Sequence, residues 1–237
     1  MLDLPMQRGA GHRLWVMMDG PAGAGKSTLA AALAGAFRAA GHRADLFGEE
    51  ELFTRAEFSD VAQGFRTKEF ARPVGFEKAY AAYLSGLGED WAVFDWSAAG
   101  MAGDLDWALQ DRARYVAHLR RVPQLDPTRS LILLILVVPA RVATERAAAQ
   151  RGRTWLNRYD HLAVTGGFRG PDEMERIIAR AEYQLTPAAA ERAAAAEAGW
   201  TIVELDAARP ATVVAQQALE AIASRLQVAR SAARDSR

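Results

Sequence analysis

A short apolar run, Leu14 to Met18, stops at Asp19-Gly20-Pro21, and an alanine- and leucine-rich stretch from Ser27 to Ala40 follows, with Gly41 behind it. Between them, Gly20-Pro21-Ala22-Gly23-Ala24-Gly25-Lys26-Ser27 has the spacing G-x-x-x-x-G-K-[ST]. The run is short enough for a buried strand, and the glycine after the second stretch reads as a helix stop. A strand, a glycine-rich turn and a helix in that order leave few folds open. The turn exists to aim backbone N–H groups inward at phosphate oxygens, with the positive end of the helix behind them. Gly20, Gly23, Ala24, Gly25, Lys26, Ser27 and Thr28 are therefore the expected nucleotide-binding residues. Lys26 would neutralise the β- and γ-phosphates and the Ser27 hydroxyl would ligate Mg²⁺.

Four further apolar runs are strand candidates: Ala44 to Gly48, Trp91 to Asp95, Leu131 to Val138 and Trp200 to Leu205. Helical patterns fill the intervals at Phe76 to Leu87, Asp104 to Arg121, Pro139 to Gln150, Pro171 to Leu185, Pro187 to Ala198 and Ala211 to Leu226. Strands alternating with helices predict a parallel sheet covered on both faces. Runs without polar alternation agree with strands buried on both sides. The expectation is an α/β fold of the P-loop NTPase type, a three-layer sandwich with a five-stranded parallel sheet and a helical lid. It occupies residues 1–237 as a single domain, with an insertion at about 49–75, a lid at about 146–170 and a flexible tail at about 227–237. Residues 49–75 and 152–170 read as irregular.

Composition narrows the chemistry. There is no cysteine, so disulfides, thiolate zinc sites and iron–sulfur clusters are excluded. Basic and acidic residues balance at 29 each, so no global field favours nucleic acid or a membrane surface. The longest apolar run falls well short of a membrane span and no signal peptide is legible, which predicts a cytoplasmic protein. Lysine occurs only at 26, 68 and 78, which sets Lys26 apart in an arginine-rich chain. The four histidines show no ligand spacing, and the sequence leaves the oligomeric state open, a homodimer included.

Ligands of open parallel sheets sit outside the carboxyl ends of the strands. The second strand ends at Glu49-Glu50-Glu51 and the third at Asp95-Trp96-Ser97. Asp95 follows Trp91-Ala92-Val93-Phe94, an apolar run ending in an acid. It reads as a magnesium or water ligand or a general base, and equally as a helix N-cap. Glu49 or Glu50 could accept a proton from a substrate hydroxyl, or form a solvated acidic turn. Arg146, Arg151 and Arg153 follow the fourth strand, where a lid could bring them onto a transferring phosphoryl group, or where they could coat a solvated helix face. Arg66, Lys68 and Arg72 form a second basic group, read as solvated. Trp96 is a core residue or the lining of an acceptor pocket.

With these residues in place, the chain resembles the thymidylate kinase and deoxynucleoside kinase superfamily of P-loop kinases. The resemblance rests on the segment Asp19 to Thr28, on Glu49 and Glu50, on Asp95-Trp96-Ser97, on Pro139 to Arg153, and on Tyr183 with Thr201 to Pro210. It implies ATP and Mg²⁺ as cofactors, transfer of the γ-phosphate to a small-molecule hydroxyl or phosphate acceptor, and Lys26, Asp95, Glu49, Glu50, Arg146, Arg151 and Arg153 as the catalytic set, with Ser27 and Asp95 on the metal. Trp96 departs from the family, which carries an arginine there, so a nucleoside-like metabolite or an antibiotic stands beside nucleosides and nucleotides as acceptor. The alternative is an ATP-hydrolysing regulatory module with no small-molecule acceptor. No Asn-Lys-x-Asp guanine-reading segment occurs.

Overall fold

The computed structural model describes residues 13–67, 73–88, 91–97 and 112–235. Five strands form one sheet: β1 (Arg13–Asp19), β2 (Ala44–Phe47), β3 (Trp91–Phe94), β4 (Arg129–Val137) and β5 (Thr201–Asp206). Their order is β2-β3-β1-β4-β5 and every pairing is parallel. β1 lies at the centre and pairs with β4 over its whole length, Arg13 opposite Arg129 through Asp19 opposite Ile135. The carboxyl end of β1, where the glycine-rich turn begins, is thereby fixed in the middle of the sheet.

Strand geometry sends successive side chains to opposite faces. On one face Leu14, Val16 and Met18 pack with α1 (Lys26–Ala39) and α8 (Ala211–Asp235), through Leu29, Leu33, Phe37, Val214, Ala218 and Ile222. On the other, Trp15 and Met17 pack with α3 (Pro73–Gly86), α4 (Arg112–Arg121) and α7 (Leu185–Glu197), through Tyr80, Tyr83, Tyr115, Leu119 and Ala194. The five residues Leu14 to Met18 are fully buried, as a strand covered on both faces requires. The expected three-layer α/β sandwich around a five-stranded parallel sheet is the architecture observed.

The second face is aromatic at its core. Phe47 stacks on Phe94 with ring centroids 5.1 Å apart, and Trp96 meets Phe47, Phe58 and Tyr80 at 5.4, 6.0 and 5.5 Å. Trp96 is 2% exposed. Of its two sequence readings, the structure supports the core.

Three stretches differ from the sequence reading. Residues 49–67 are not irregular: two short 3-10 turns, Glu49–Phe53 and Ala56–Phe58, lead into α2 (Ser59–Thr67). The stretch 152–170 is helical to Thr165, because α5 (Ala140–Thr165) continues through Gly152 with a break rather than an end. The following α6 (Glu173–Tyr183) is capped by Asp172, whose side chain accepts from Glu175 N at 2.9 Å. The last helix runs to Asp235, through residues read as a tail. Lys68, Arg72, Trp107 and residues 104–111 lie outside the described residues, as does the side chain of Arg66.

Gly152 holds φ 69° and ψ −159°, a conformation that an L side chain rarely adopts. A Cβ added there meets no atom within 4 Å, so nothing but backbone strain opposes a side chain. Gly152→Ala is expected to cost about 1–3 kcal/mol, the usual range for a residue held in a sparsely populated region. A lowered urea midpoint with unchanged slope checks it; an unchanged midpoint would show that the break does not need glycine.

Candidate functional site

The turn after β1 is built for an anion. Helix α1 starts at Lys26 with Gly25 as its cap, and that cap offers no side-chain hydrogen bond. Its first turn carries no acid. A helix N-terminus exposes unsatisfied N–H groups and a partial positive charge, and most soluble helices place a capping side chain or an acid there. Leaving both out, and adding Lys26, suits an external phosphate. Gly23 holds φ 84°, and a Cβ on it would lie 1.9 Å from the Ala143 carbonyl oxygen of α5. The turn is pressed against α5 so closely that only glycine fits.

Lys26 is half-buried. Its Nζ donates to Gly20 O at 2.6 Å and Pro21 O at 3.2 Å. Burial holds its pKa below the ordinary lysine value, opposed by the charges of Asp19, Glu49 and Asp95, while Arg151 lowers it further. Four residues from four places in the chain therefore act on one ammonium. Asp19 ends β1 and accepts from Gly20 N at 2.7 Å, bracing the turn. Asp95, 8% exposed, follows β3 and accepts from Glu49 N at 2.6 Å through Oδ1. That bond ties the ends of β2 and β3 together and sets Glu49 at the start of a 3-10 turn.

The remaining acids of the strand-2 end divide. Glu51 accepts from Gly48 N at 3.1 Å and pairs with Arg55 at 2.7 Å. Glu50 is exposed and does not act on Lys26. Of the three arginines of α5, Arg151 shares the field at Lys26. Arg146 donates to Ala207 O at 2.6 Å and Ala208 O at 3.0 Å, fastening α5 to the turn after β5. Arg153 lies beyond the Gly152 break and pairs with Glu173 of α6.

The resemblance implies Mg²⁺, and the oxygen donors present suit it. Magnesium takes hard oxygen ligands, commonly one or two from protein with the rest from phosphate and water. The Ser27 hydroxyl is exposed on the first turn of α1. Asp95 spends Oδ1 on Glu49 N, and its other oxygen makes no hydrogen bond among the described residues. Among the described residues no three acids or histidines converge into an all-protein cage.

Beside the turn, on the α4 and α7 face, lies a cavity of about 320 Å³. Asp19 and Gly20 to Ala22 form one wall, Ile135 to Val138 of β4 the floor, and α5, α6 and α7 the rest. Glu191 of α7 lines it while only 4% exposed. Burial first, and the Asp19 charge second, push its carboxyl up to about 8. Glu191 was missed from sequence. Its signal was a single acid in the alanine-rich stretch 188–196, one turn before Ala194 and Ala195, which face the core.

No family model matches the chain, and no curated protein matches it. Among solved structures it is similar to deoxyadenosine kinase from M. mycoides with bound dCTP, at 16% identity and a TM-score of 0.42, over 89% of this chain and 100% of that one. It is likewise similar to the same kinase with bound dATP, at 16% identity and a TM-score of 0.42, over 88% and 99%. Among the described residues no helix is long and apolar enough to cross a membrane.

The raised Glu191 pKa has a stability consequence. Between the ordinary glutamate value of 4.5 and about 8 the folded chain keeps a proton that the unfolded chain has released. Stability should then fall as pH rises through that window, by at most about 1.4 kcal/mol per pH unit, with the loss complete above it. Thermal unfolding of wild type and Glu191→Gln across this range checks the sign. The variant should show the shallower decline, and parallel curves would contradict it.

Proposed function

We propose that the protein transfers the γ-phosphate of ATP to a small-molecule acceptor. The observation that carries this reading is the convergence on Lys26 of the uncapped α1 N-terminus, the strand-end acids Asp19, Glu49 and Asp95, and Arg151. An anion-binding turn alone would suit any nucleotide-binding protein. Acids at the neighbouring strand ends add what phosphoryl transfer needs, a group to take a proton and a ligand for a metal.

In this reading the backbone N–H groups from Gly20 to Thr28 hold the phosphates, and the Lys26 ammonium leaves the Gly20 and Pro21 carbonyls to meet them. Ser27 and Asp95 would hold Mg²⁺, which when bound neutralises charge developing on the phosphate oxygens. Glu49 is better placed than Glu50 to accept the acceptor's proton, since it alone of the two acts on Lys26. Arg151 supplies positive charge from the α5 side. Arg146 and Arg153 support it from either side, one anchoring α5 to the β5 turn and the other holding α6. The segment from Arg146 to Gly170 serves as the lid, with Gly152 as its joint.

A charge aimed at the transferring phosphoryl group typically contributes a few kcal/mol to the transition state. Lys26→Ala is therefore expected to lower transfer by roughly two to three orders of magnitude while circular dichroism stays that of wild type. A folded variant with wild-type turnover would remove the reading. The acceptor is sought with ATP and Mg²⁺ against nucleosides, nucleotides and hydroxyl-bearing antibiotics, read by mass shift.

Arg151→Ala separates transfer from hydrolysis. A lid that excludes water keeps the γ-phosphate for the acceptor. The variant should lower kcat for transfer, leave ATP affinity nearly unchanged, and raise the ratio of free phosphate to phosphorylated acceptor. Unchanged partitioning would take Arg151 out of the site, and hydrolysis at an acceptor-independent rate would favour a nucleotide-hydrolysing module instead.

A further inference from the structure

The cavity beside the phosphate turn contains a polar group with nothing to do in the folded chain. The Glu191 side chain is 96% buried by its 4% exposure and lines an otherwise largely apolar space. Among the described residues it makes no hydrogen bond and no ion pair. A buried carboxyl normally costs several kcal/mol unless a partner satisfies it, so such groups are rarely left alone without a role.

Each element around Glu191 was a possible source of a partner. From β1 comes Asp19, a second acid, whose Oδ1 is used by Gly20 N. From α4 comes Tyr115, a buried phenol whose proton both acids hold in place. From α6 comes Arg180, which donates to Gln184 and sits over the Tyr159 ring at 5.8 Å. On α7 itself, Arg192 pairs with Glu204 at 3.2 Å. The neighbouring arginines are engaged elsewhere and the nearest charge is of the same sign. The cavity thus offers an apolar body lined by Ile135, Leu162, Leu185 and Ala188, with two acids on one side.

We propose that this cavity binds the acceptor, and that the acceptor carries a protonated amine which Glu191 and Asp19 hold. The strand alternation gives the placement. Met18 faces α1, so Asp19 faces the α4 and α7 side, and a ligand there reaches Gly20 to Ala22 from the face opposite α1. An ammonium in this position satisfies the lone carboxyl, offsets the Asp19–Glu191 repulsion and takes the apolar lining for its carbon frame. The assignment to the acceptor rests on the phosphotransfer reading; recognition of a cationic nitrogen by Glu191 does not.

The test therefore uses no nucleotide and no turnover. Benzylamine and benzyl alcohol are nearly isosteric, small enough for the cavity, and differ in charge. Each is titrated into the whole protein and followed by NMR. Benzylamine is expected to bind at least about tenfold more tightly than benzyl alcohol, a difference of about 1.4 kcal/mol. Because its binding ionises a carboxyl that is otherwise protonated, its affinity should rise from about pH 6 to about pH 8, while that of benzyl alcohol stays level. Glu191→Gln should abolish both the preference and the rise. Ala188→Phe, which fills the cavity without touching the carboxyl, should block both probes and serves if the first variant does not fold. Equal affinities in wild type, a preference that survives Glu191→Gln, or binding that survives Ala188→Phe would each overturn the proposal. If amine recognition holds but no acceptor is ever phosphorylated, the phosphotransfer reading fails while the site stands.

Discussion

The Lys26 ammonium sits half-buried at the mouth of a turn whose carbonyls it holds, and burial works against its charge while three carboxylates sustain it. Much of the site follows from that balance. A lysine in an apolar pocket tends to lose its proton, so its charge has to be maintained by neighbours. Asp19 supplies one from the same strand, Glu49 and Asp95 supply two from adjacent strand ends, and the bond from Glu49 N to Asp95 Oδ1 fixes those ends to one another. The sheet order puts β1 between β3 and β4, so the acids on β2 and β3 can reach the ammonium only from one side. Arg151 arrives from the other.

Helix α5 is what brings that other side to the site. Its first turns press on Gly23 through Ala143, so the shape of the phosphate turn and the seat of the helix are set together. Arg146 then fastens the helix to the β5 turn, Gly152 breaks its course, and Arg153 ties the next segment to α6. A basic residue delivered on a helix with one joint has fewer ways to be misplaced than one on a free loop, which matters when a shift of about 1 Å can cost two orders of magnitude in rate. The lone residue at a positive φ inside that helix is also the one position where its direction can change without breaking the packing on either side.

The sheet and the phosphate turn were legible because their signals are local. Leu14 to Met18 is a run bounded by breakers, and the turn has a spacing that only one backbone path satisfies. Asp95 and Glu49 were legible by position, because strand ends in a parallel sheet share one edge. The stretch after Gly152 misled for a physical reason: a glycine tolerates a positive φ within a helix as readily as it ends one, and sequence alone does not separate the two. Trp96 carried no signal that could choose between pocket and core; the choice came from Phe47 and Phe58, brought to it by β2 and the turns beyond. Glu191 lies far from any strand end, and its place beside Asp19 is a product of tertiary packing alone.

That packing gives the two faces of the sheet different work. On the α1 face the layer is aliphatic and continuous, from Leu14 through Leu33 to Ile222, and the helix it supports presents its N-terminus to phosphate. On the α4 and α7 face the layer is interrupted at the carboxyl end of β1 and β4, where Ile135 and the alanines of α7 leave space that larger side chains would fill. Small residues on α7 near a charged turn are costly for stability, since a cavity of this kind forfeits dispersion contacts along its whole lining. A carboxyl set in that lining adds a second cost. Both fall away when a ligand of matching shape and opposite charge enters, so the same arrangement that weakens the free fold makes binding strong, and it does so next to the turn where phosphate would be held.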